Sequence, residues 1–434
     1  MSAVADKAEA LVGKDYANSP VPEHARYTSA RVGVTMGAWI IAMSTFFTGG
    51  VLASGLDFWD TVVAALMGQL ILAAIGFFTA LVGARRRLSM AMIQIEIYGA
   101  TVGRLIALTV AFILGIGWFA WQLSFFGQTI ETSFGGHALT TRTAAMIWGA
   151  AVTTVTVLFG FRLLSLVSLL AVPAIIGLSF YGLFLSIDSF GGFGALTVAV
   201  PGGEPLPMIK AIGLVVGAAI GGTVMVPDLS RFARHPVRGA AAAAGSYAVA
   251  GFIILLCGAA IVYAARMPSG DLPGAMQAVG LGLPAFIILI VAQWATNKSN
   301  LYSGVLCFVA LTGWKQSLVV IGLGCVGLLV ALAGIHDKFV PLLTFLGNFM
   351  PPIAGAMVVH FLVLRERSSA SPFTVLAVLA GGAAGYIAEF LRLDFPSSLV
   401  AVMTGAAVHY LLARHLGCIQ EISSPARRAR NPVA

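Results

Sequence analysis

A chain of 434 residues that is 59% hydrophobic and only 10% charged cannot be an ordinary soluble domain, in which about a quarter of residues are charged. The net charge of +8 does not make it a nucleic-acid binder either, because its basic residues are spread along the chain between apolar runs rather than gathered in a patch. The sequence offers no metal-ligand spacing, no paired acid–base constellation and no soluble catalytic head, which argues against an enzyme. The four scattered cysteines read as small apolar packers.

Residues 1–30 are polar, lack the apolar stretch of a cleavable signal peptide, and read as a cytoplasmic tail. Apolar runs of roughly 20 residues follow, each long enough to cross a bilayer. They fall at about 32–52, 59–83, 105–130, 140–161, 163–187, 209–226, 240–265, 284–310, 317–334, 340–363, 372–391 and 397–414. The expected fold is therefore an all-α polytopic membrane protein with twelve transmembrane helices. With the N-terminus inside, 19 of the 25 Lys and Arg fall on the cytoplasmic side and 5 outside, with Lys298 within a span. That bias places both termini in the cytoplasm of a multi-pass cell-membrane protein.

Along the chain, certain residues break the apolar pattern. Span 1 reads "VGVTMGAWIIAMSTFFTGG", with Gly37, Ser44 and Thr45. The inner segment 85–104 is amphipathic and reads as an interfacial stretch. Span 3 contains "GIGWFAWQLSFFGQ", in which Trp118 and Gln122 lie at i, i+4 on one helix face. An indole face beside an amide suits a planar heterocycle, stacked on the ring and bonded at its edge. The alternative is a core tryptophan and an interhelical glutamine bond.

Span 6 carries Gly213, Gly217, Gly221 and Gly222. If spans 1–5 and 6–10 are inverted halves, spans 1 and 6 correspond, and paired interruptions predict broken helices around a midplane site. The alternative is close helix packing. Asp228 and Arg231, at i, i+3, read as a pair at the cytoplasmic end. Span 8 holds "VAQWATNKSNLYSG", where Gln293, Thr296, Asn297 and Lys298 crowd together. A lysine in mid-span costs a few kcal/mol and lies roughly 18 Å from the cytoplasmic end, too far to snorkel. It faces a partner, a ligand or a wet vestibule. Glu389, His360 and His409 read as solvated or capped near span ends.

"SPVPEHAR", "TFFTGG", "GIGWF", "FGFRLLSLVSLLAVPAI", "PDLSRFAR", "WATN" with "LY", and "FLGNFMPPIAGAMV" run from end to end of the chain. In these the sequence resembles the nucleobase–cation symporters, the purine/cytosine permease family, in its cytosine-permease-like branch. The resemblance implies twelve spans with a five-plus-five inverted repeat, broken helices 1 and 6, and two further C-terminal helices. The division would be a tail at 1–30, a transport core at 31–363, helices 11 and 12 at 364–414 and a tail at 415–434.

The resemblance also implies roles for residues. Trp118 matches a substrate-stacking tryptophan and Asn297 a substrate-bonding asparagine. Gln122 matches a glutamine of the related hydantoin transporter, whereas cytosine permeases place theirs one turn earlier, where Gly115 stands here. A second stacking ring would fall at Ala218 or Ala219, beside Gly221, so one aromatic wall is missing and a larger substrate has room. The family's sodium would be held by carbonyls at Ala38, Ile41 and Ala292 and by the Thr296 hydroxyl. A second hydroxyl is replaced by Ala295, which weakens an oxygen site, and Lys298 leans back toward that position.

The implied function is secondary active import of cytosine or a related pyrimidine or purine, by alternating access coupled to sodium or a proton, with no other cofactor. Hydantoin, allantoin or a hydroxymethylpyrimidine-type thiamine precursor is the alternative. A passive channel would want a continuous polar lining. The implied partners are a small planar nitrogen heterocycle, the coupling ion and the lipid bilayer, with no nucleic acid.

Overall fold

A computed structural model of the chain describes residues 16, 19–158, 161–266, 272–364 and 371–423. The rest of the two expected tails, the basic segment 365–370, and the side chains of Ala38 and Ala295 lie outside the described residues. Named elements are helical: α1 (Ser29–Ile40), α2 (Met43–Gly55), α3 (Phe58–Arg86), α4 (Met90–Tyr98), α5 (Ala100–Phe134), α6 (Arg142–Leu158), α7 (Phe161–Ser189) and α8 (Met208–Met225). There follow α9 (Pro236–Ala265), α10 (Leu283–Thr312), α11 (Gln316–Leu332), α12 (Phe339–Phe349), α13 (Pro351–Val358), α14 (Leu376–Phe390) and α15 (Ser397–Ser423). Among the described residues six helical stretches are long and apolar enough to cross a membrane, and three shorter apolar helices join them. In lipid a backbone must satisfy its own hydrogen bonds, which is why an apolar chain of this kind is helical throughout.

Span 1 is broken as expected. Ile41 and Ala42 leave the helical region, with ψ values of 73° and 152°. The N–H of Ala42 donates to the Ile40 carbonyl at 2.8 Å, and the Thr45 hydroxyl donates to the same oxygen at 3.0 Å. The helical ladder is thereby diverted at one carbonyl, and α2 restarts on Ala42. Span 6 is a correction. α8 runs unbroken from Met208 to Met225 through all four glycines, and a separate turn, Pro227–Ser230, follows it. Its glycines are contact points instead: a Cβ on Gly217 would fall on the Leu343 carbonyl of α12.

The helices approach one another closely. A Cβ on Gly49 of α2 would strike the Leu255 carbonyl of α9, and one on Gly258 of α9 would strike the Phe46 carbonyl. Two π-helical segments interrupt long helices, at Phe112–Gly117 within α5 and at Tyr247–Gly251 within α9.

At the end of the bundle nearest the N-terminus the chain folds back on itself. Tyr27 pairs as an isolated bridge with Ala233, its N–H donating to Phe232 at 2.6 Å. Arg87, left-handed at φ 64°, donates to the carbonyls of Arg231, Ala233 and Arg234, while its own carbonyl accepts from Val21. The Asp228 carboxylate accepts from the Met90 N–H at 2.8 Å and so caps α4, while Arg231 Nε donates to the Asp228 carbonyl. The segment expected at the interface is thus partly packed inward: Met90, Ile93, Ile97 and Tyr98 of α4 are buried.

His360 and His409 are also a correction. Rather than solvated, they are buried and face each other at 3.4 Å between the π-helical segment after α13 and α15. Glu389 is half-buried and accepts from Asn348 Nδ2 at 2.8 Å and Thr344 at 3.4 Å. Cys257 is buried, Cys307 half-buried and Cys325 exposed, all as free thiols, and the side chain of Cys418 lies outside the described residues.

Candidate functional site

A cavity opens where the break of span 1 meets α5, α8 and α10, with Tyr247 of α9 closing one side. It holds about 760 Å³ of space free of protein atoms, its open mouth included. The expected residues Trp118, Gln122, Ala218, Ala219, Gly221 and Thr296 all line it. Trp118 begins the α-helical turn after the π segment of α5 and is held edge-on by Trp121 (5.9 Å, 89°) and Phe339 (6.3 Å, 65°). One turn on, Gln122 is buried and its Oε1 has no hydrogen-bond partner among the described residues. A buried amide oxygen left unpaired is costly, and one that lines a cavity beside an indole can be satisfied by a ligand's N–H.

Gly115 also lines the cavity. A Cβ there would sit 2.8 Å from the Gly304 Cα and 3.1 Å from its nitrogen, so α5 and α10 touch at this point and admit no longer residue.

Of the expected cation residues with described side chains, Thr296 alone lines the cavity. Ile40, Ala42, Ser44 and Thr45 line the cavity on one side and Thr296 on the other. The Thr296 hydroxyl donates to the Ala292 carbonyl at 2.9 Å, so the two span-8 oxygens expected to hold a cation are already adjacent. Carbonyls and hydroxyls of this kind are the oxygen donors a hard cation takes. Ile41 itself forms the break.

Two span-8 expectations fall elsewhere. Asn297 lines a second cavity, with Gln293, Trp294, Trp148 and Thr153 on the opposite side of α10. Gln293 is fixed there by donating to Thr129 at 2.9 Å. Lys298 is completely buried and lines neither cavity. Helical phase explains the difference: Thr296, Asn300 and Ser303 follow the i, i+4, i+7 spacing of one face, and all three line the first cavity. Asn297 is turned about 100° from Thr296.

Among the lining residues not anticipated as site residues are Tyr247, Trp39, Asn300 and Ser303. The last two were findable from their phase relative to Thr296. Tyr247 carried no local polar signal.

The family of permeases for cytosine/purines, uracil, thiamine and allantoin matches residues 20–376. The cytosine permease of Escherichia coli (strain K12) is 31% identical over 389 residues, which are 86% of this chain and 89% of that protein. The hydantoin permease of Microbacterium maritypicum is 24% identical over 358 residues, covering 76% of this chain and 72% of that one. Among solved structures, the inward-facing conformation of Mhp1 superposes with a TM-score of 0.78 at 20% identity, covering 93% of this chain and 94% of that one. The closed, bromovinylhydantoin-bound form of Mhp1, a nucleobase-cation-symport-1 family transporter, gives 0.73 at 19%, covering 95% and 98%. At such identities the likeness is one of fold. With a match across most of its length and a relative above 30% identity, this chain belongs to the family of permeases for cytosine/purines, uracil, thiamine and allantoin.

Proposed function

We propose that this permease imports a planar nitrogen heterocycle of nucleobase size, cytosine or a related pyrimidine or purine, by cation-coupled alternating access. The observation that carries the reading is the joint placement of Trp118, Gln122 and Thr296 on one cavity at the break of span 1. Trp118 stacks on the ring, Gln122 Oε1 accepts from a ring or exocyclic N–H, and the small residues Ala218, Ala219 and Gly221 leave width for a substituent. Base–aromatic stacking contributes about 1–3 kcal/mol per base. The specific observation that favours the second reading, a hydantoin-like substrate, is that the amide stands at Gln122 while position 115 is glycine packed on Gly304.

The coupling ion is sodium or a proton, held or moved between the span-1 carbonyls of Ala38 and Ile41 and the Ala292 and Thr296 oxygens. With Ala295 supplying no hydroxyl and Lys298 buried on the same helix, this reading weights proton coupling. The topology that fits is twelve crossings with cytoplasmic termini in the cell membrane: tail 1–30, a five-plus-five core at 31–363, two further helices at 364–414 and tail 415–434.

The test is uptake of radiolabelled cytosine, uracil, hypoxanthine and hydantoin into proteoliposomes, under imposed sodium or proton gradients. Accumulation of unchanged substrate above its external concentration is expected with at least one ligand. Equilibration without accumulation under either gradient would indicate a passive pore. If Lys298→Ala leaves uptake strictly sodium-dependent, as in wild type, the role given to the lysine is wrong.

A further inference from the structure

We propose that Tyr247 is the specificity-determining residue of this cavity: it stands in for the ring missing from span 6 and offers its hydroxyl to one edge of the substrate. The inference rests on the heterocycle-permease reading above and adds a residue and a recognition chemistry to it.

The placement of the ring is unusual. Tyr247 is the first residue of the π segment Tyr247–Gly251, and it is almost completely buried while lining the cavity. A π turn inserts a residue into the helical ladder and re-aims the side chains beside it, and such turns concentrate at functional sites. The second π segment, Phe112–Gly117, abuts the same cavity through Leu114 and Gly115, with Trp118 directly after it. The two irregular turns therefore serve one space, one carrying the tyrosine and the other leading into the tryptophan.

The ring reaches this position only because two helices make way. A Cβ on Gly222 of α8 would lie 2.6 Å from the Tyr247 hydroxyl, and a Cβ on Gly76 of α3 would lie 3.1 Å from its ring. The glycine at 222 thus has a definite purpose. It is the gap in α8 into which a tyrosine from α9 projects, next to Ala218, Ala219 and Gly221, which leave the span-6 wall without a ring.

The hydroxyl has no hydrogen-bond partner among the described residues. Within a membrane bundle a buried hydroxyl without a partner costs stability in the free protein, and a ligand that pairs with it recovers that cost. Gln122 Oε1, lining the same cavity, is unpaired in the same way. The two groups ask for complementary chemistry. Gln122 Oε1 takes an N–H, and the phenol, which both donates and accepts, takes a ring carbonyl or ring nitrogen. A lactam-bearing ring, such as an oxo-pyrimidine or oxo-purine, carries both, whereas a purely donor or purely apolar ring does not.

The experiment compares wild-type protein, Tyr247→Phe and Gly222→Ala, each full-length and purified in detergent. Thermal stabilisation is titrated with cytosine, uracil, hypoxanthine, hydantoin and indole, the last carrying an N–H but no ring carbonyl or acceptor ring nitrogen. Tyr247→Phe removes only the oxygen. Its unliganded melting temperature is expected to equal or exceed wild type, which also reports that it folds. Its affinity for the best carbonyl-bearing ligand is expected to fall about tenfold, the loss of one hydrogen bond, with little change for indole. Gly222→Ala, which displaces the hydroxyl, is expected to show the same selective loss. If Tyr247→Phe binds every ligand within about twofold of wild type, the inference is overturned while the function stands. If wild type itself binds none of the panel, the functional reading fails and this inference falls with it.

Discussion

Spans 1 and 6 both bring small residues to the cavity, yet one helix is broken and the other is continuous. The difference does not lie in glycine content. The break at Ile41–Ala42 contains no glycine or proline; it arises because the Ile40 carbonyl is claimed by both the Ala42 N–H and the Thr45 hydroxyl. In α8 the glycines keep helical geometry, and neighbours use the space they leave: Leu343 packs at Gly217, Leu114 at Gly221 and Tyr247 at Gly222. A glycine in a membrane helix is thus more often a docking point than a hinge, and a local contest for one carbonyl can open a helix.

The sharpest way to break this comparison is to add the same methyl group to both helices. Gly217→Ala places a Cβ on the Leu343 carbonyl and is expected to cost about 3 kcal/mol, as overpacking does. In α1, a Cβ on Gly37 would meet only the Ser246 hydroxyl, at 3.9 Å. Gly37→Ala is therefore expected to be neutral or to stabilise by up to about 1 kcal/mol through helix propensity. Thermal melts in one detergent compare the two directly, and equal costs would show that α8 is not the more tightly docked helix.

The next effect is on binding. Trp118→Ala removes the one expected stacking face and should weaken the best ligand by roughly ten- to a hundredfold, in line with stacking worth about 1–3 kcal/mol. A ligand titration followed by melting temperature measures it. A smaller effect is expected at the break itself. Thr45→Val deletes the second claimant on the Ile40 carbonyl and should cost about 1 kcal/mol, with Thr45→Ser restoring it. Because Thr45 lines the cavity beside the proposed cation site, the same variant should alter the cation dependence of uptake, and Thr45→Ser should not.

The smallest effect separates the two faces of α10. Asn297→Ala is expected to change substrate affinity by less than about twofold, whereas Asn300→Ala should lower it about fivefold. The reverse order would return Asn297 to the transport cavity.

Much of the fold was legible because lipid is an unforgiving solvent: apolar runs of the right length must be helices. Trp118 and Gln122 were legible because they stand one turn apart on one helix face, and Thr296 because it falls in a polar cluster within an apolar span; the structure brings the three together. The choice between Asn297 and Asn300 was not settled by their type, since both are asparagines in one crowded stretch. It depends on helical phase relative to a cavity whose position is set by other helices. The His360–His409 contact joins residues 49 positions apart, so neither carries a local sign of the other. Tyr247 was the least visible. Its meaning depends on glycines of α3 and α8, and on a π turn that no spacing rule announces.

The folded-back N-terminal segment has a mechanical consequence. Through Arg87 and Tyr27, the entry to α1, the exit of α3 and the link from α8 to α9 are fastened at one end by at least four main-chain carbonyls. Joined in this way, these pieces are expected to travel as one lever. A rearrangement that exposes the cavity at that end is then expected to carry this lever relative to α10, which borders the cavity from the other side. Spin labels at 27 and 233 should keep their separation through a transport cycle, while a pair at 233 and 312 should not.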